Sequence, residues 1–153
     1  MTKYCLFLAI LVSTISQAGI WDTVQKENAL VYKKGDGSRV FGMVTDIDCG
    51  YCRMLEREIQ AMDNITVYKF MVPAQDNQSE SISIWCSANR HDAFLARLMQ
   101  QKKPRLASCA NPIAKNIKWA SSVGLYATPI LFKPNGQMHY GYATKSELER
   151  FLR

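Results

Sequence analysis

Val40-Phe41-Gly42-Met43-Val44-Thr45-Asp46-Ile47-Asp48-Cys49-Gly50-Tyr51-Cys52-Arg53-Met54-Leu55 runs from an apolar stretch straight into two cysteines three positions apart. Val40, Phe41, Met43 and Val44 are what a strand covered on both faces requires. Beyond Cys49, the residues Met54, Leu55, Ile59 and Met62 fall at helical spacing, and Asp63-Asn64 ends the run. Cys49 therefore stands where a strand ends and a helix begins. The first N–H groups of a helix lack internal partners, and its dipole is positive at that end. Both effects stabilise a thiolate, the attacking species in thiol chemistry. Cys52 lies one helical turn on, placed to bond Cys49 or to resolve a mixed disulfide. The first cysteine is expected to be exposed and nucleophilic. Arg53 adds positive charge beside it, while Asp46 and Asp48 oppose the shift. One pKa unit is about 1.4 kcal/mol, so modest local geometry decides the balance.

Outward from this stretch, residues 20–29 read as a short helix or lead-in. Ala29 to Lys33, Gly35-Asp36-Gly37 and Arg39 to Thr45 read as strand, tight turn, strand. Ile65 to Val72 is a strand closed by Pro73, and polar residues 74–82 read as loop. Asn89 can cap a helix carrying Phe94, Leu95, Leu98 and Met99 up to Lys103-Pro104. A second helix fits Pro112 to Val123, with Ile113, Ile117 and Ala120 on one face and Gly124 as its stop. Ile130 to Phe132, Asn135-Gly136 and Met138 to Tyr142 form a hairpin. Thr144 to Glu147 is a capping box opening a last helix through Leu148, Phe151 and Leu152. The expected order is β–β–α–β–(α–α)–β–β–α, an α/β architecture.

The chain has 153 residues, 48% hydrophobic and 21% charged, which suits one globular domain. A net charge of +6 without a Lys/Arg run longer than two residues gives no reason to invoke nucleic acid. Residues 1–18 read as a signal peptide. Lys3 is the positive start, Tyr4 to Val12 an apolar run of nine, and Ser16 and Ala18 flank a cleavage site before Gly19. Nine residues are too few to span a bilayer as a helix, so no stable membrane insertion is expected. Cys5 leaves with that leader, and Cys49, Cys52, Cys86 and Cys109 remain. An even count in an exported chain favours disulfides.

Other uses of these cysteines are weaker. A bridge closing so short a loop constrains little unfolded chain, so Cys49–Cys52 is a poor structural bond. A zinc site would want a second Cys-x-x-Cys knuckle, and Cys86 and Cys109 stand far apart, so no metal or other cofactor is expected. A cysteine hydrolase would need His91 or His139, each of which reads as a surface residue. Cys86 and Cys109 then pair by elimination, closing a loop worth about 3 kcal/mol in the chain-entropy model. A second redox pair is the alternative, disfavoured because neither cysteine opens a helix.

Thr45 to Cys52, Ile84-Trp85-Cys86, Ala107-Ser108-Cys109, Thr128-Pro129 and Gly141-Tyr142 together resemble the catalytic domain of bacterial periplasmic disulfide isomerases, the DsbC/DsbG type. The likeness runs from about residue 29 to the end. It implies a thioredoxin-like fold over residues 19–153 with an inserted helical section at about 74–124. It implies Cys49 as nucleophile and Cys52 as resolving thiol. It makes Cys86–Cys109 structural and Thr128-Pro129 a cis-proline loop whose backbone pairs with extended substrate, with Gly50 and Tyr51 as further substrate contacts. The activity expected is thiol:disulfide exchange or isomerisation on exported cysteine-containing polypeptides in the periplasm. A membrane thiol reductase or oxidase would be the electron partner. The alternative is a non-catalytic chaperone holding extended chains in the same groove. The family's isomerases carry an N-terminal dimerisation domain, whereas thirty residues separate Ala18 from Cys49. The expectation is a monomer that reduces and exchanges more readily than it isomerises.

Overall fold

The computed structural model describes residues 19–153; the expected signal peptide at 1–18 lies outside them. The chain opens with α1 (Ile20–Thr23) and a 3-10 turn (Lys26–Asn28). It continues through β1 (Leu30–Lys34), β2 (Arg39–Thr45), α2 (Gly50–Gln60) and β3 (Ile65–Met71). A 3-10 turn (Gln75–Asn77) leads into α3 (Gln78–Trp85), α4 (Arg90–Gln100) and α5 (Ile113–Ser122). The hairpin β4 (Ile130–Phe132) and β5 (Met138–Tyr140) and the final α6 (Lys145–Phe151) close it. Sheet order is β1-β3-β2-β4-β5. β2 and β3 run parallel; β1 is antiparallel to β3, β4 to β2 and β5 to β4.

Alternation along the strands sorts the core onto two faces. Phe41, Met43, Val67, Met71 and Leu131 pack under α2, α4 and α6 with Leu55, Ile59, Phe94, Leu98 and Leu148. Val44, Phe70, Ile130 and Phe132 pack on the other side with Ala120 of α5 and Leu125. Gly42 stands opposite Phe132 in the β2–β4 ladder. A Cβ there would overlap the Phe132 ring, so the glycine is required by the ring that covers it.

β2 is the middle strand, as its apolar run requires. The Gly35-Asp36-Gly37 turn, however, does not join paired neighbours, because β3 inserts between β1 and β2. The turn folds instead against the α2–β3 connection. The Asp36 N–H donates to Asn64 Oδ1 at 3.2 Å, and Thr66 donates to the Gly37 carbonyl at 2.8 Å. The reason is burial: Ile65, Val67, Phe70 and Met71 are all but sealed, so β3 belongs inside, while the alternating β1 suits an edge.

The stretch expected as loop at 74–82 is largely helical, since α3 begins at Gln78. The stretch is polar from Gln75 to Ser81, yet Ser81, and Ser83 just beyond it, are buried. Ser83 Oγ donates to the Ser79 carbonyl at 2.8 Å and accepts the Ala107 N–H at 3.0 Å. Those bonds satisfy a hydroxyl inside a helix that periodicity alone does not reveal. Met54, expected on the inner face of α2, is 43% exposed. The capping box at Thr144 and Glu147 and the Asn89 cap are present.

Candidate functional site

β2 runs into Asp46-Ile47-Asp48, and α2 starts at Gly50 with Cys49 as its N-cap. An N-cap needs an acceptor for the free N–H groups of the first turn. Cys49 Sγ supplies it, taking the Cys52 N–H at 3.0 Å. The two cysteines are disulfide-bonded, their Cα atoms 5.1 Å apart. Cys49 is half-buried and Cys52 is fully buried against Leu55 and the sheet. Gly50 and Tyr51 are exposed beside them, Tyr51 at 64%.

The Thr128-Pro129 peptide is cis. The Thr128 carbonyl oxygen lies 3.5 Å from Cys49 Sγ. The Gly141 N–H donates to the Pro129 carbonyl at 2.9 Å, tying the loop to the end of β5. The fold thus brings Cys49, Cys52, Thr128 and Pro129 together, with Gly50 and Tyr51 on the open side of the pair. Cys86 and Cys109 are bonded to each other, Cα atoms 5.8 Å apart, fastening the C-cap of α3 to the segment before α5. Among the described residues no group of three or more His, Cys, Asp or Glu is arranged to hold a metal ion.

Two supports of this site were not read from the sequence. Arg97 of α4 is 5% exposed. It donates to Asp48 at 3.3 Å, to the Ile47 carbonyl at 3.4 Å, and to Glu80. Its guanidinium holds the Glu80 carboxyl below its ordinary range, and together these bonds clamp the inserted helices to the loop that presents Cys49. The signal available was an arginine among Phe94 and Leu98 on the apolar face of α4.

The second support is a buried polar cluster under α2. Lys69 and Glu56 are both fully buried and bonded at 2.6 Å. Lys69 Nζ lies 3.4 Å from His91 Nε2, and His91 stacks on Tyr32 at 4.7 Å between centroids. His91 is therefore partly enclosed rather than the surface residue its sequence context suggests. Burial pushes the Lys69 ammonium below its ordinary pKa, and the Glu56 carboxylate pushes back. Burial first and the Lys69 charge second hold His91 below its ordinary value, against smaller pulls from Glu56 and Asp92. A lysine between Val67 and Met71 on the inner face of β3 was the only sequence signal.

Comparison with known proteins agrees with this geometry. A family model described as thioredoxin-like domain matches residues 26–153. A probable thiol:disulfide interchange protein DsbC from Bordetella parapertussis is 31% identical over 134 residues, which are 86% of this chain and 48% of that protein. A thiol:disulfide interchange protein DsbC from Salmonella typhimurium is 33% identical over 137 residues, 86% of this chain and 57% of its own length. The chain thus spans about half the length of the curated relatives it matches. The crystal structure of a disulfide interchange protein from Neisseria gonorrhoeae superposes with a TM-score of 0.79 at 28% identity, covering 84% of this chain and 96% of that one.

Proposed function

The chain belongs to the thioredoxin-like domain family, and on that premise we propose that it is a thiol:disulfide interchange enzyme acting on exported polypeptides. The observation that carries this reading is a half-buried Cys49 capping α2, bonded to a sealed Cys52 and facing the Thr128 carbonyl. In the reduced state the Cys49 thiolate attacks one sulfur of a client disulfide. The client S–S bond breaks, its second sulfur leaves as thiolate and takes a proton, and a Cys49–client mixed disulfide forms. Cys52 then attacks Cys49 Sγ, releases the client thiol and leaves the pair oxidised. The Cys52 N–H and the positive end of α2 stabilise the Cys49 thiolate on entry and again on exit.

In this reading Thr128 and Pro129 offer backbone to an extended client, and Gly50 and Tyr51 form the open rim it crosses. Gly50 has open space where a side chain would begin, so the rim beside Cys49 is uncrowded on that side. Residues 19–153 act as one unit, with the helical section at 74–124 inserted between β3 and β4. We place the activity in the periplasm, after removal of residues 1–18, with a membrane thiol reductase or oxidase restoring the pair. No described helix is long and apolar enough to cross a membrane. The edge strands favour a monomer: β1 carries Lys33 and Lys34, and β5 has three residues, features that oppose pairing between copies. A purely holding role has no observation in its favour, since the cysteine pair is intact. The test is insulin reduction together with refolding of scrambled ribonuclease. Catalysis of either supports exchange, and activity in neither defeats it.

We assign Cys86–Cys109 a structural role. Cys86 is the C-cap of α3, the negative end of a helix, where a thiolate is disfavoured. Cys49 is at a positive end, so its reduced form is the stabilised one. Graded dithiothreitol should open Cys49–Cys52 first and leave Cys86–Cys109 closed, read by alkylation and mass spectrometry. Both bridges opening at one potential would refute the division of roles.

A further inference from the structure

We propose that this chain prefers client segments carrying lysine or arginine close to the reacting cysteine, and that Asp46 reads that charge from a groove beside the redox pair. The inference rests on the exchange reading above and names the client class of the same site.

A groove of about 300 Å³ lies between the exit of β3 and the segment before β4, lined by Asp46, Pro73, Ala74, Leu125, Tyr126 and Thr128 among others. Thr128 both lines it and holds its carbonyl 3.5 Å from Cys49 Sγ, so the groove lies next to the reactive pair. Asp46 is the one carboxylate in the lining, and no Lys, Arg or His accompanies it there. Its Oδ1 accepts the Asp48 N–H at 3.3 Å and its Oδ2 the Ala74 N–H at 3.1 Å, which fix its orientation. Asp48 is paired with Arg97, whereas among the described residues no cation forms an ion pair with Asp46. The negative charge at this wall is thus left for a partner.

The rest of the wall is mainly apolar, with Leu125 buried and Tyr126 81% exposed at the rim. An aliphatic stem that ends in a cation matches such a wall, burying its methylenes while its head meets the carboxylate. An extended client advances about 3.3 Å per residue and sends alternate side chains to one face. With the client sulfur at Cys49, a side chain next but one to the client cysteine falls at this groove. An acidic side chain there meets Asp46 as a like charge. The chain's net charge of +6 acts the other way, drawing acidic peptides at long range. A preference for basic clients therefore reports the local field alone.

The experiment uses the reduced chain and three peptides, each with one cysteine linked by a disulfide to 2-mercaptoethanol. They differ only in the residues next but one to the cysteine on both sides: arginine, glutamine or glutamate. Second-order rates are read by quenching and chromatography. The arginine peptide should react about fivefold faster than the glutamate peptide, the scale of a partly exposed ion pair, with glutamine between. The ratio should shrink towards one at about 1 M salt, and Asp46→Asn, which keeps an acceptor oxygen, should abolish it. An unreactive glutamine peptide defeats the exchange reading and this inference with it. A reactive glutamine peptide with equal arginine and glutamate rates overturns the inference alone. The wild-type salt series decides the matter even if Asp46→Asn does not fold, since a ratio indifferent to salt is not electrostatic.

Discussion

Cys49→Ser should reduce insulin turnover to the rate of buffer alone, while Cys52→Ala should accumulate client covalently attached to Cys49. The asymmetry follows from position. Cys52 is sealed on the inner face of α2, so a client sulfur can approach only Cys49. A serine hydroxyl forms no mixed disulfide, and its loss is therefore complete rather than partial. In Cys52→Ala the first step proceeds, but the sulfur that would release the client is missing. Up to one client per chain should then appear as a shifted band that dithiothreitol removes. Alkylation of the reduced wild type at neutral pH should mark Cys49 ahead of Cys52. Preferential labelling of Cys52, or trapping by Cys49→Ser instead, would invert the assigned roles.

Lys69→Met should destabilise the fold by about 3–5 kcal/mol, the largest stability effect expected at a site remote from the disulfides. The substitution leaves the Glu56 carboxylate buried with Gln60 as its remaining side-chain donor, at 2.7 Å. Glu56→Leu combined with Lys69→Met removes both charges and should recover most of the loss, because the desolvation cost of a buried pair offsets most or all of its Coulomb energy. Urea denaturation of the single and double variants measures this. A single variant within about 1 kcal/mol of wild type would show that the pair is not sealed. The same cluster sets an acid sensitivity. The unfolded chain protonates His91 near its ordinary value of 6.5, whereas the folded chain resists until lower pH. Between those values the unfolded state binds more protons, so stability falls as pH drops through the window and levels off below the folded pKa. Glu80, whose pKa is lowered from 4.5, adds its own loss only below that point. His91→Gln should therefore flatten the decline between pH 6.5 and 4.5. An unchanged slope would place the acid sensitivity elsewhere.

Much of the site was legible because its chemistry is local. A cysteine at a strand-to-helix junction, its partner one turn later, and the capping residues of α4 and α6 are all written within a few consecutive positions. The role of Thr128-Pro129 came from resemblance; its proximity to Cys49 depends on β4 pairing with β2, residues far apart in sequence. Helix α3 was not legible because two serines, Ser81 and Ser83, are buried on it, Ser83 bonded to the Ser79 carbonyl and the Ala107 N–H, so its inner face carries no apolar period. The exposed Met54 shows the converse, an apolar residue at helical spacing that the core does not take.

The sequence by itself determined the α/β class, the redox pair, the strand fit for the centre of the sheet and the hairpin at Asn135-Gly136, because each follows from neighbouring residues. Tertiary structure alone decided that β3 enters between β1 and β2, since an interior place goes to the strand with most apolar surface to bury. It alone paired Lys69 with Glu56, because a buried charge is tolerated only where distant chain supplies its counter-charge. It alone left Asp46 beside Cys49 without a cation while giving Arg97 to Asp48. That choice rests on where α4 docks, and docking is set by the packing of whole faces rather than by any short stretch of chain.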